Sequence, residues 1–102
     1  MFKKWVSPHY NDRKDGKSAD FIILHYTGMK TGKDALRWLC ADKSQVSAHY
    51  LVEEGGKTHN LVPDNKRAWH AGVSYWRGER DMNSASIGIE IVNPGHEFGY
   101  RE

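Results

Sequence analysis

The chain has 102 residues, of which 38% are hydrophobic and 27% charged, a composition typical of one soluble globular domain. Lys and Arg number 15 against 13 Asp and Glu, and the resulting charge of +2 is too small to indicate a nucleic-acid-binding protein. The longest obvious apolar run, Phe21 to Leu24, is far shorter than the roughly 20 residues of a membrane span.

The N-terminal part of the chain predicts a polar arm followed by a buried strand. Residues 1–19 are polar and rich in turn residues such as Pro8 and Gly16, so we expect them to form an entry arm within the domain. The segment from Asp20 to His25 predicts a strand that is apolar on both of its alternating faces. This pattern is typical of a central strand that is covered on both sides.

A short helix is predicted next, over about residues 32–41. Thr31, with Asp34 three residues later, resembles a capping box, and the apolar residues that follow recur at helical spacing. The only cysteine, Cys40, lies in this helix between apolar neighbours, so an intrachain disulfide is excluded. We interpret Cys40 as a small buried apolar residue rather than as a nucleophile.

From Val46 onwards the hydrophobic period changes to two, which predicts strands. Residues 46–52 and 57–62 are predicted to pair as a hairpin around a two-residue Gly55-Gly56 turn. Residues 86–92 predict a last strand in which three isoleucines point one way and Gly88 and Glu90 the other. The pattern as a whole predicts an α/β domain with a mixed central β-sheet and a flanking helix.

Two segments depart from this regular pattern. Residues 63–85 contain turn residues among several aromatic residues, and we predict a long functional loop there, because long loops in compact domains usually bind ligands. After the Asn93-Pro94-Gly95 break no second helix follows that could cover the other face of the sheet. We therefore expect residues 1–102 to form a single domain that is truncated at its C-terminal end.

Three groups of residues are candidates for chemistry. His25 stands at the carboxyl end of the buried strand, where a neutral imidazole is a good zinc ligand, although its position alone favours a hydrogen-bonded core histidine. Glu90 would be a general base with a raised pKa if it is buried, or an inert carboxylate if its strand lies at an edge. Trp69 and His70, beside the small Ala71, suit a groove for a sugar or peptide; alternatively Trp69 fills the core and His70 lies at the surface.

The remaining histidines carry less information. His49 could face either side of its strand, and we expect His9, His59 and His96 to be inert because they lie in turn or edge contexts. No pair of ligands has the short spacing of a locally encoded metal site.

Four segments then occur in chain order: FIILHYTG (21–28), VSAHYLV (46–52), RAWHAGVS (67–74) and SIGIEIVN (86–93). Together they cover most of residues 20–95, and they resemble the N-acetylmuramoyl-L-alanine amidase family, in its AmiD- and AmpD-like branch. The resemblance implies the fold shared by T7-type lysozyme and peptidoglycan recognition proteins.

The resemblance also implies an activity, the zinc-dependent hydrolysis of the amide bond between N-acetylmuramoyl and L-alanine in peptidoglycan or muropeptides. His25 would be the first zinc (Zn²⁺) ligand, with the remaining ligands expected beyond residue 102. Glu90 would be the catalytic residue, taking a proton from the attacking water and passing it to the departing amine. Ala48 stands where the lysozyme branch has a catalytic tyrosine, which leaves the base role to Glu90. The substrate-binding residues would be Tyr26, Trp69, His70 and Ala71.

Two other interpretations stay open: a non-catalytic peptidoglycan-binding module, and a remnant that folds poorly and does neither. Glu90 favours the enzyme, because a binding module has no need of a desolvated base. The expected partner is peptidoglycan or a muropeptide, with no nucleic acid and no membrane span, and the sequence does not indicate the oligomeric state. Lys3 and Lys4 are not followed by the apolar segment of a signal peptide, so we favour the bacterial cytoplasm over the cell envelope.

Overall fold

The computed structural model describes residues 5–29, 31–71 and 81–93 of the chain. Within these residues the chain forms strands and helices in the order β1 (Tyr10–Asp12), β2 (Phe21–Tyr26), α1 (Gly32–Leu39), β3 (Tyr50–Val52), β4 (Thr58–Asn60), β5 (Lys66–Ala68), α2 (Met82–Ala85) and β6 (Ser86–Ile91).

The described strands form one sheet of four strands and one of two. In the larger sheet the order is β2-β6-β3-β4, with β6 parallel to both of its neighbours and β3 antiparallel to β4. The smaller sheet pairs β1 with β5 in antiparallel fashion. The mixed α/β architecture predicted from the sequence is therefore confirmed. No helix within the described residues is long and apolar enough to cross a membrane.

Helix α1 begins and packs as predicted. The Thr31 side chain accepts a hydrogen bond from the Asp34 backbone N–H at 3.1 Å, which caps the first turn. Its apolar stripe packs on the sheet and forms a core of buried residues: Ala35, Leu36, Leu39, Leu51, Leu61 and Val92. Cys40 is half-buried against this core, and burial raises the pKa of its thiol, as expected for an apolar role.

Strand β2 differs from its prediction as a central strand covered on both sides. It pairs only with β6, so it lies at one edge of the described sheet. Ile22 and Leu24 are 69% and 63% exposed, and their face is uncovered within the described residues. The opposite face, which carries Ile23 and His25, is half-buried. The alternating pattern identified the strand correctly but not its position in the sheet.

The hairpin is confirmed, but its strands are shorter than predicted. Only β3 and β4 pair, and the turn holds three residues between Glu53 and Lys57, whose backbones hydrogen-bond at 2.8 Å. Gly56 has a φ of +95°, a conformation that glycine adopts without strain. Residues 46–48 leave the strand because the Ser47 N–H donates to the Trp69 carbonyl instead of to a neighbouring strand.

The arm and the long loop are more ordered than predicted. Strand β1 belongs to the arm of residues 1–19 and strand β5 to the loop of residues 63–85, and the two strands pair with each other. Helix α2 also forms within the predicted loop. The local pattern could not reveal this pairing, because its partners are far apart in sequence. The predicted loop segment 72–80 and the chain after residue 93 lie outside the described residues, so the predicted break at residues 93–95 is described only at Asn93.

Candidate active site

Glu90 lies in the middle of the sheet. Strand β6 runs between β2 and β3, and Glu90 is flanked by His25 on one side and Leu51 on the other. The alternative of a solvent-facing glutamate on an edge strand is therefore excluded. Its Oε2 atom is buried and has no hydrogen-bond partner among residues 5–29, 31–71 and 81–93. Burial raises the pKa of Glu90 from 4.5 to about 7, which is the range of an effective general base at neutral pH.

His25 occupies the carboxyl end of β2, on the same face of the sheet as Glu90, because register partners in neighbouring parallel strands share a face. The ring is half-buried, and burial lowers its pKa, so the imidazole is neutral at neutral pH. Its Nε2 atom lies 3.0 Å from Nδ1 of His70. A neutral imidazole at this position has the chemistry of a metal ligand.

His70 lies directly over β6, where Gly88 leaves room for its ring. A Cβ atom on Gly88 would overlap the imidazole, which explains why this strand position carries no side chain. The Nε2 atom of His70 is 3.1 Å from the hydroxyl of Ser86, and its backbone N–H donates to Asn83 Oδ1 at 3.1 Å. Burial, together with the positive charge that neighbouring His25 would carry when protonated, lowers the pKa of His70 to about 3. The sequence suggested a residue lining a groove, and the structure also brings its ring against His25.

A cavity of about 190 Å³ opens beside these residues. Glu90 lines it from β6, and Trp69 and His70 line it from the segment that follows β5. Trp38 and Leu39 line it from helix α1. Trp69 is half-buried and donates its indole N–H to Asn11 Oδ1 at 3.1 Å. The cavity therefore combines a carboxylate of raised pKa with aromatic walls.

The structure does not bring all predicted site residues together. Tyr26 is 49% exposed and lies on the opposite face of β2 from His25, beside Leu24. Ala71, the residue after His70, donates its backbone N–H to Asn83 Oδ1 at 2.8 Å. Substrate-binding roles for these residues remain predictions. Tyr75 and Trp76, two aromatic residues of the predicted long loop, lie outside the described residues.

Arg13 is a residue of structural importance that the sequence did not reveal. It is only 8% exposed, and its guanidinium donates to four backbone carbonyls at 2.8–3.2 Å. The carbonyls belong to Asp64, Asn83, Ser84 and Ser86. Arg13 thus ties the N-terminal arm to the junction of α2 and β6, from which Asn83 and Ser86 reach His70. A single arginine in a polar arm gives no sequence signal for such a role.

His49 is also structural. It is fully buried; its Nδ1 accepts the Gly88 N–H at 3.1 Å and its Nε2 is 2.8 Å from the Lys66 carbonyl, to which it donates. His9 and His59 likewise bind nearby groups, the Ala41 carbonyl at 2.6 Å and the Glu53 carboxylate at 2.7 Å. Each of these three rings thus uses at least one nitrogen in a structural hydrogen bond.

Among the described residues, one side chain has the properties of a metal ligand. No group of three or more His, Cys, Asp or Glu side chains in this part of the chain is arranged to hold an ion. His25 fits as one ligand because it is neutral, half-buried and adjacent to a carboxylate whose Oε2 is unpartnered.

The chain is similar in sequence and in fold to known proteins. Residues 15–102 match the profile of the N-acetylmuramoyl-L-alanine amidase family, Amidase_2. The chain belongs to this family. The 1,6-anhydro-N-acetylmuramyl-L-alanine amidase AmpD of Escherichia coli is 33% identical over an alignment of 102 positions, which covers 83% of this chain and 56% of that protein.

Solved amidase structures share the fold. A crystal structure of an AmpD derivative superposes with a TM-score of 0.79 at 31% identity, covering 88% of this chain and 60% of that one. The amidase AmiD of E. coli, solved with the substrate anhydro-N-acetylmuramic acid-L-Ala-D-γ-Glu-L-Lys, superposes with a TM-score of 0.64 at 35% identity, covering 93% of this chain and 35% of that one. The chain spans about half the length of the curated AmpD relatives that it matches.

Proposed function

We propose that this amidase-family chain carries the general base and part of the substrate groove for hydrolysis of the amide bond between N-acetylmuramoyl and L-alanine. The observation that supports this most strongly is Glu90, a central-strand carboxylate with a pKa of about 7 and a buried, unpartnered oxygen beside a cavity. Isolating a carboxylate in this way lowers the free energy of unfolding, and a purely structural role would provide no interaction that offsets this loss.

The substrate class follows from the cavity and from the relatives. An aromatic wall formed by Trp69 and Trp38 suits the apolar face of a sugar ring, and the cavity's polar end at Glu90 and His70 suits an amide. AmiD, the relative of similar fold, is solved with an anhydromuramyl peptide. We therefore propose a muropeptide or peptidoglycan strand as the partner, with the scissile amide near Glu90.

In this proposal Glu90 is ionised in a large fraction of molecules at neutral pH, so it can accept a proton from the attacking water. The carboxyl group formed in this way then delivers the proton to the nitrogen of the departing L-alanine. The burial that raises the pKa of Glu90 also limits its contact with bulk water, which slows loss of the proton before the amine leaves.

Zinc is the cofactor that we propose, with His25 as one of its ligands. When bound, zinc supplies Lewis-acid polarisation of the scissile carbonyl and activation of water. His25 binds metals only in its neutral form, which its lowered pKa favours. The other ligands would lie outside the described residues, in keeping with the sequence-based prediction of ligands beyond residue 102. The bacterial cytoplasm likewise remains a prediction from the sequence.

The test compares Glu90→Gln with the unchanged sequence in a chimera that continues the chain with the C-terminal part of E. coli AmpD. With zinc and purified muropeptide, we expect the chimera to release peptide, and the Gln variant to lose at least about 10²-fold in kcat while still binding substrate and zinc. Glu54→Gln, in the exposed turn, is the matched control and should retain turnover. Near-normal turnover of the Glu90 variant would remove it from the mechanism. Substrate binding without turnover by the chimera would favour the non-catalytic binding module.

A further inference from the structure

A line of hydrogen bonds runs through the site from one imidazole to a backbone carbonyl. His25 Nε2 lies 3.0 Å from His70 Nδ1, and His70 Nε2 lies 3.1 Å from Ser86 Oγ. The Ser86 hydroxyl in turn lies 2.6 Å from the carbonyl of Met82, one turn earlier in α2. All four groups belong to described residues. Met82 lies in α2 and Ser86 in β6, and His70 lies in the segment that these two elements hold.

The end of this line fixes its direction. A carbonyl oxygen can only accept, so the single Ser86 hydroxyl proton is donated to Met82. Ser86 Oγ therefore offers a lone pair to His70, which must carry its proton on Nε2. The Nδ1 atom of His70 is then unprotonated and accepts the proton of His25 Nε2. By this chain of reasoning, Nδ1 of His25 keeps its lone pair.

We propose that His70, anchored by Ser86, is a positioning residue that holds His25 in the Nε2–H tautomer and presents Nδ1 of His25 as the atom that binds a divalent metal. The tautomer follows from the hydrogen bonds between two neutral imidazoles, and only its use for metal binding rests on the proposed function. Metal-binding histidines commonly donate their second ring N–H to a partner that fixes the orientation of the ring. Here that partner is a neutral imidazole.

The packing around His70 prevents the ring from leaving this position. Gly88 lies directly beneath the ring, and the ring of His49 approaches from the side with centroids 6.1 Å apart. Asn83 Oδ1 accepts the backbone N–H groups of His70 and Ala71, which fixes the main chain at the same point. The partner of His25 is therefore held by β6 and α2 before any ligand binds.

The test measures the protonated nitrogen of each imidazole directly, by long-range ¹H–¹⁵N NMR on the metal-free 102-residue chain. His25→Gln and His70→Asn identify the resonances. We expect both rings to carry their proton on Nε2 in the unchanged chain. A His25 ring protonated on Nδ1 would overturn the proposal, whatever the variants show.

Paired variants then separate positioning from packing. In His70→Asn, Oδ1 can take the place of Nδ1 as an acceptor, so His25 should keep its single tautomer. His70→Leu has no acceptor, and the tautomers of His25 should become a mixture. Ser86→Ala should turn the tautomers of His70 into a mixture. Ser44→Ala, which removes a half-buried hydroxyl that donates to the Ala41 carbonyl, should change neither ring.

An unchanged His25 tautomer in a folded Leu variant would contradict the role of His70. If the Leu variant does not fold, Ser86→Ala and the spectrum of the unchanged chain still decide the matter. These spectra need neither zinc nor substrate. An inactive chimera with the expected tautomers would therefore refute the proposed function, and with it the use of Nδ1 for metal binding, but the positioning of His25 by His70 would stand.

Discussion

Glu90→Gln should change the pH dependence of stability, because burial raises the pKa of the carboxyl group. The folded state holds the Glu90 proton up to a pKa of about 7, whereas the unfolded chain releases it near 4.5. Between these values the folded state binds more protons than the unfolded state. The free energy of unfolding contributed by Glu90 therefore falls as pH rises through this window, and the whole cost is present above about pH 7.

The size of the effect follows from the same two pKa values. One pKa unit corresponds to about 1.4 kcal/mol, so the rise from 4.5 to about 7 sets a ceiling of roughly 3 kcal/mol. Glu90 is half-buried rather than sealed from solvent, so we expect about 2 kcal/mol. Gln has nearly the same shape and no titration, so it avoids this cost at every pH.

Urea unfolding of the metal-free chain at about pH 4.5 and pH 8 measures the difference. Relative to the unchanged chain, the Gln variant should gain about 2 kcal/mol on going to the higher pH. The histidines of lowered pKa destabilise both proteins in acid and largely cancel in this comparison. Glu54→Gln, in the exposed turn, should show no such gain. Parallel pH profiles for Glu90→Gln and the unchanged chain would show that the carboxyl is not desolvated, and the general-base argument would lose its basis.

Other variants test the packing and the ligand set. Gly88→Ala should displace His70 and lower the free energy of unfolding by about 1–3 kcal/mol in thermal unfolding. Gly55→Ala, whose Cβ would meet no atom within 4 Å, should be near neutral, and equal effects would refute the close approach of His70 to Gly88. Arg13→Leu should lower the free energy of unfolding in urea by about 3 kcal/mol or more, because it leaves buried carbonyls unpaired. The exposed Arg37→Leu should lower it by less than about 0.5 kcal/mol, and a similar loss in both variants would exclude the structural role of Arg13. Trp69→Ala should weaken muropeptide binding by the chimera more than it lowers Tm, and unfolding without a separate binding loss would place Trp69 in the core. The 102-residue chain should bind zinc weakly in calorimetry, and tight one-to-one binding with amidase turnover would contradict a ligand set beyond residue 102.

The sequence predicted the elements whose signals are local. Helix α1 carries both its cap at Thr31 and its apolar stripe within a few residues, and β6 alternates isoleucine with small or acidic residues. The pairing of β1 with β5 has no such signal, because each strand has three residues and a partner more than fifty positions away. Its order comes from tertiary contacts, among them those of Arg13, so local patterns assigned both segments to arm and loop.

In the candidate site, too, the residues with a local sequence signal could be predicted and the long-range contacts could not. His25 and Glu90 could be singled out because each breaks the apolar pattern of a strand, and a polar group in such a place needs a reason. Their proximity to His70 could not be predicted, since it depends on a glycine that has no side chain and on Asn83 and Ser86 as hydrogen-bond partners. Gly88 did carry a usable signal. A glycine two residues before a strand carboxylate, on the same face, marks a place where another group can approach the sheet closely. In this chain that group is the imidazole that holds His25, so the strand that supplies the proposed base also makes room for the residue that orients the proposed metal ligand.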